Sequence, residues 1–156
     1  MAMQIASILV PTDFSEDSYY ALGHALELAR WRGCQLTILH VNPDESVLFR
    51  YLSEKEFEAL RQEALRDANQ QLETLVKRFP ELKEVEHRFH IRRGNPVVEI
   101  LAELEAHPVD LVVIGSHGRG SEGLEFFYGS TAEKVVRRSR ASILVTRNPE
   151  RRKRKG

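Results

Sequence analysis

Cysteine is nearly missing from this chain: Cys34 is the only one in 156 residues. No intramolecular disulfide can form, and the composition fits a reducing cytoplasm. Long apolar runs are missing too. The longest span a few residues, far short of the roughly 18 of a membrane-spanning helix, so no membrane association is expected. Met1 to Val10 has no basic start and runs straight into Pro11-Thr12-Asp13, which is no secretory leader. Net charge is absent as well, with 23 Lys+Arg against 23 Asp+Glu, but the zero hides a polarity. Six basic residues, Arg147, Arg151, Arg152, Lys153, Arg154 and Lys155, crowd the end, leaving 17 basic against 22 acidic residues in positions 1–146. An acidic body without a basic stripe argues against a nucleic-acid partner. The expected organisation is one domain over 1–147, followed by a basic, disordered tail over 148–156.

Several catalytic and nucleotide motifs are also lacking. No G-x-x-x-x-G-K-[ST] occurs, so a Walker-type site is excluded, and no G-x-S-x-G nucleophile elbow occurs. Gly118-x-Gly120-x-x-Gly123 matches a dinucleotide fingerprint literally, but it does not join a strand directly to its helix and no acid ends the next strand. The six histidines are scattered along the chain. Only His87 and His90 are neighbours, and on an alternating strand they face opposite ways, so no shared metal is expected.

What is present is 42% hydrophobic and 29% charged residues, enough for a chain of this length to bury about 70% of its unfolded surface. Ile5 to Val10, Leu36 to Val41, Leu111 to Ile114 and Ile143 to Val145 are short continuous apolar runs, the pattern of strands buried on both faces. Val85 to Arg92 alternates instead, predicting a strand with one wetter face at a sheet edge. Helical stripes lie between: Tyr19 to Ala29, Phe57 to Phe79, and Val97 to Leu104 opened by Asn95-Pro96. A fourth begins near Ser130, where Ser130-x-x-Glu133 reads as a capping box. The order βαβαβαβαβ is an α/β fold. Its last strand, Ser142 to Thr146, carries no charge or proline to guard an exposed edge, which predicts a homodimer paired through it, with coverage by the chain's own tail as the alternative.

In open α/β sheets ligands bind outside the carboxyl ends of the strands. After the first strand comes Pro11-Thr12-Asp13-Phe14-Ser15. After the fourth comes Gly115-Ser116-His117-Gly118-Arg119-Gly120-Ser121-Glu122-Gly123, with Gly129-Ser130-Thr131 at the following helix start. Four glycines in nine residues beside a helix N-terminus can make an anion cradle or an ordinary surface loop. Ser130 suits a cap or a phosphate contact. Asp13 suits a cap shared with Ser15, a ribose contact or a metal.

These motifs, Ile8-Leu9-Val10-Pro11-Thr12-Asp13-Phe14-Ser15, His40-Val41, Gly94-x-Pro96, Gly115-Ser116-His117-Gly118 and Gly129-Ser130, resemble the universal stress protein family from end to end. The resemblance implies a five-stranded parallel sheet in order 3-2-1-4-5, a dimer through the last strand, and ATP or AMP as ligand with Mg²⁺ held through the phosphates. By it, Pro11, Thr12 and Asp13 would lie against the adenosine, with Asp13 near the ribose and a candidate to share the metal. Val41 would offer its backbone to the adenine, Gly115, Ser116, His117, Gly118 and Arg119 would wrap ribose and phosphates, and Ser130 and Thr131 after Gly129 would meet the phosphates. The expected role is a nucleotide-responsive regulator in stress response with an unknown protein partner. The rivals are a nucleotide-free interaction module and a slow, partner-dependent ATPase. One departure stands out: the family spaces its glycines G-x2-G-x9-G-[ST], whereas ten residues separate Gly118 from Gly129 here.

Overall fold

The computed structural model describes residues 4–117 and 130–150. Five parallel strands, β1 (Ser7–Thr12), β2 (Gln35–Asn42), β3 (His87–Arg93), β4 (Leu111–Gly115) and β5 (Ser142–Thr146), form one sheet in the order β3-β2-β1-β4-β5. The helices are α1 (Glu16–Arg32), α2 (Glu54–Arg78), α3 (Pro96–Ala106) and α4 (Ser130–Arg138). Because parallel crossovers are right-handed, connections that step one way from β1 put α1 and α2 on one face. Those that return across β1 put α3 and α4 on the other. The strand order therefore reverses between β1 and β4.

Alternation along the central strands divides the core accordingly. Ile8, Val10, Leu36, Ile38, Leu111 and Val113 pack with Leu22, Leu26, Leu72 and Leu75 of α1 and α2. Leu9, Leu39, Val112 and Ile114 pack with Val97 and Ile100 of α3 and Ala132 and Val135 of α4. β3 lies at one edge and is only half-buried, as its alternating sequence predicts; it starts at His87, two residues later than the pattern suggests, because a 3₁₀ turn over Pro80–Glu84 precedes it. β5 lies at the other edge.

The ends of the elements follow from local chemistry. Asn95 Oδ1 accepts from the backbone N–H groups of Val97 and Val98, with Pro96 next, so α3 starts where its cap dictates. Ser53 and Glu56 form a reciprocal capping box at α2, and Gly33 closes α1 in the left-handed conformation. α4 begins at Ser130, where the sequence pattern places the start of the fourth helix. At the opposite end of the sheet, Asp110 Oδ2 accepts from the N–H groups of Ala6 and Ser7 and from the Ser7 hydroxyl. These bonds hold the Asp110 carboxyl below its usual range. Among the described residues no helix is long and apolar enough to cross a membrane.

Candidate functional site

The carboxyl ends of β1, β2 and β4 lie at one end of the sheet, beside the point where strand order reverses. The β1 loop is built around a sharp bend. Phe14 has φ 60°, a left-handed conformation that costs a non-glycine residue energy and persists only when its surroundings enforce it. Its ring is buried and lies 4.5 Å from that of His40 on β2. The bend turns the chain directly from β1 into α1. It also lets Asp13 Oδ1 accept from the Ser15 N–H at 3.1 Å and the Ser15 hydroxyl at 2.5 Å. Ser15 in turn caps α1 by accepting from Ser18 N. Asp13 thus orients the cap instead of being it.

Thr12 is buried, its hydroxyl 3.0 Å from Ser18 Oγ and accepting from Phe14 N at 3.1 Å. Its carbonyl accepts from His40 Nδ1 at 2.9 Å, and His40 Nε2 lies 3.0 Å from Asn42 Oδ1. These bonds stitch the end of β1 to the end of β2. Pro11 is buried, while Asp13 and Val41 are partly exposed.

On the other side of the reversal, Gly115 is buried against α1. A Cβ there would sit 2.9 Å from the Asp17 carbonyl oxygen, so the absent side chain lets β4 and α1 approach. Ser116 is 2% exposed, donates its N–H to the Thr146 carbonyl, and has its hydroxyl 2.8 Å from His117 Nδ1. Thr146 Oγ1 beside it is buried and has no partner among the described residues. His117 is partly exposed. Ser130 is exposed and Thr131 partly so, at the first turn of α4, where free N–H groups and the helix dipole favour an anion. Gly118, Arg119 and Gly129 lie outside the described residues.

Pro11, Thr12, Asp13, Val41, Gly115, Ser116 and His117 therefore share one end of the sheet. Sequence reasoning missed the parts played by Phe14, Ser18 and Asn42. Phe14 and Ser18 follow β1 and Asn42 ends β2, but a left-handed phenylalanine has no pattern of its own. It also missed a second cluster: His90, Glu103 and His107 come together between β3 and α3, and His87 is not part of it.

An open parallel α/β sheet whose strand order reverses between β1 and β4 defines the class of doubly wound domains. A sequence model of the universal stress protein family matches residues 5–147, and the chain belongs to that family. Its relatives include universal stress protein MJ0577 of Methanocaldococcus jannaschii, 30% identical, the alignment covering 94% of this chain and 98% of the relative. Another is YxiE of Bacillus subtilis, 32% identical, with coverage of 90% and 97%. The solved structure of MJ0577 superposes with a TM-score of 0.80 at 27% identity, covering 94% of this chain and 98% of that one. Two more distant proteins share the fold: one from Archaeoglobus fulgidus solved with dAMP (22% identity, TM-score 0.63, coverage 92% and 98%) and one solved with cAMP (20%, 0.59, 93% and 98%).

Proposed function

We propose that this chain binds an adenine nucleotide, ATP or AMP, at the strand ends around the β1–β4 reversal. In this reading it acts as a regulatory homodimer in stress response, its shape or partner affinity changing on binding. The observation that carries the reading is that the carboxyl ends of β1, β2 and β4 lie together at the reversal, with Asp13, Val41 and His117 partly exposed there. The dAMP and cAMP complexes of two proteins of this fold support adenine as the base.

The donor set fits such a ligand. Pro11 and Val41 supply apolar walls for the base, Asp13 suits the ribose hydroxyls, and Ser130 and Thr131 offer hydroxyls and N–H groups to phosphates. Gly118, Arg119 and Gly129 complete the phosphate cradle in this reading. Mg²⁺, when bound, would offset phosphate charge, with Asp13 its candidate protein ligand. A micromolar dissociation constant corresponds to about −8 kcal/mol, whereas a charge at a helix terminus contributes only about 0.3–1 kcal/mol. Most of the affinity must therefore come from burying the base and from backbone hydrogen bonds.

A second reading, a nucleotide-free interaction module, draws on Gly115 and Thr12, whose identities are explained by packing and by bonds within the protein. Calorimetric titration of Mg-ATP and of AMP into protein stripped of co-purified nucleotide separates the two. Saturable binding near one site per chain, abolished in Gly118→Val with the far-ultraviolet dichroism unchanged, is the expected result. Absence of binding up to millimolar nucleotide refutes the proposal and leaves the interaction module.

A further inference from the structure

On the sheet edge opposite β5, alternation along β3 sends Phe89 and Ile91 into the core under α1 and α2, and His90 and Arg92 toward α3. From α3, Glu103 reaches back, and His107, four residues on, follows it on the same face at the residue that closes the helix. Glu103 is 2% exposed. Its two oxygens are used differently. Oε2 accepts from Arg92 Nε at 2.6 Å, while Oε1 accepts from His90 Nδ1 at 2.5 Å and faces His107 Nδ1 at 3.2 Å. Two imidazole nitrogens and one carboxylate oxygen, all within 4.8 Å of one another, thus converge on one point.

Arg92 also meets Glu99, at 3.3 Å, so one guanidinium is shared between two carboxylates.

We propose that His90, Glu103 and His107 form a binding site for a divalent transition metal of the zinc class, a site separate from the strand-end loops. Two imidazoles and one carboxylate suit zinc, whereas magnesium and calcium require mostly oxygen ligands. The three side chains supply three of the four tetrahedral positions, and solvent or a partner's side chain takes the last. A ligating Nδ1 carries no proton, so the bound form keeps each ring's one proton on Nε2 and releases any second one to solvent, and the closest N–O pair widens to the roughly 3.3 Å that ligands about 2.0–2.1 Å from a shared ion require. His107 has the freedom to adjust, its side chain being 58% exposed at the end of α3. Arg92 acts as the outer partner that fixes the carboxylate's orientation. The rival is a closed hydrogen-bonded triad that needs no ion.

The test uses the full chain, dialysed against chelator and free of nucleotide. Zinc is titrated calorimetrically, and cobalt(II) is followed by its visible spectrum, with His24→Gln as a control and His107→Gln and His90→Gln as site variants. Expected is one zinc per chain in the natural protein and the control, with the intense cobalt bands of a four-coordinate site. Each site variant should weaken zinc by at least the roughly 10–100-fold that outer-shell changes alone cost, and lose those bands. Magnesium should not compete. Absence of zinc binding at about 100 μM, or equal affinity in His107→Gln, overturns the proposal in favour of the closed triad. Because His107 is exposed at a helix end, that variant carries the test even where His90→Gln fails to fold.

Discussion

Gly115 is the residue whose role the structure explains most directly. A glycine at a strand end in this fold invites a ligand explanation, yet the Asp17 backbone already fills the space a Cβ would take. Backbone on both sides cannot swing away as a flexible side chain can. Gly115→Ala should therefore destabilise the protein by about 1–3 kcal/mol, the usual cost of overpacking, read as a lower urea midpoint in the nucleotide-free protein. An unchanged midpoint would return Gly115 to the ligand. Phe14 teaches a related lesson: its strained backbone persists because the ring packs beside His40, and the same bend brings Asp13 onto Ser15. The orientation of a loop carboxylate is thus set by a ring packed behind it.

At the scale of elements, caps decide where helices begin, and the helix starts in turn decide where the loop ends lie. At α2, Ser53 accepts from Glu56 N while Glu56 accepts from the Ser53 N–H and hydroxyl. These bonds hold the Glu56 carboxyl below its usual range. Ser53→Ala should cost about 1 kcal/mol, measured by urea unfolding, and should fray the start of α2 next to the 3₁₀ turn over Ser46–Arg50. Equal stability would mean that Glu56 alone suffices. At the far end of α2, Arg78 pairs with Glu16 of α1 through its two terminal guanidinium nitrogens and lies over the Tyr19 ring, which ties the two helices of this face together.

For the whole molecule, the open question is what covers β5. Among the described residues its only strand partner is β4, and Leu144 on this edge strand remains 38% exposed. An apolar edge of this kind templates another chain unless it is guarded, and a second copy of the same strand is the occupant proposed here. Leu144→Lys should then convert the dimer to monomer in sedimentation analysis, with little change in the dichroism spectrum. A natural protein that sediments as a monomer, or a variant that remains a dimer, would remove β5 from the interface.

The succession of strands and helices was legible in the sequence because each period, two or 3.6, is a local property of the chain. The edge position of β3 was legible for the same reason, since a strand wetted on one face must alternate. The gathering of motif residues at the strand ends followed from the α/β order together with the family resemblance. Contacts between elements were not legible. His90 and His107 are 17 positions apart, and only the parity of β3, combined with the place where α3 crosses it, brings both onto one carboxylate. Gly115 against Asp17 and Phe14 against His40 likewise depend on how closely a helix or loop approaches a strand. Periodicity in the chain carries the faces of each element; the distances between faces come from packing, and those distances decide which side chains act together.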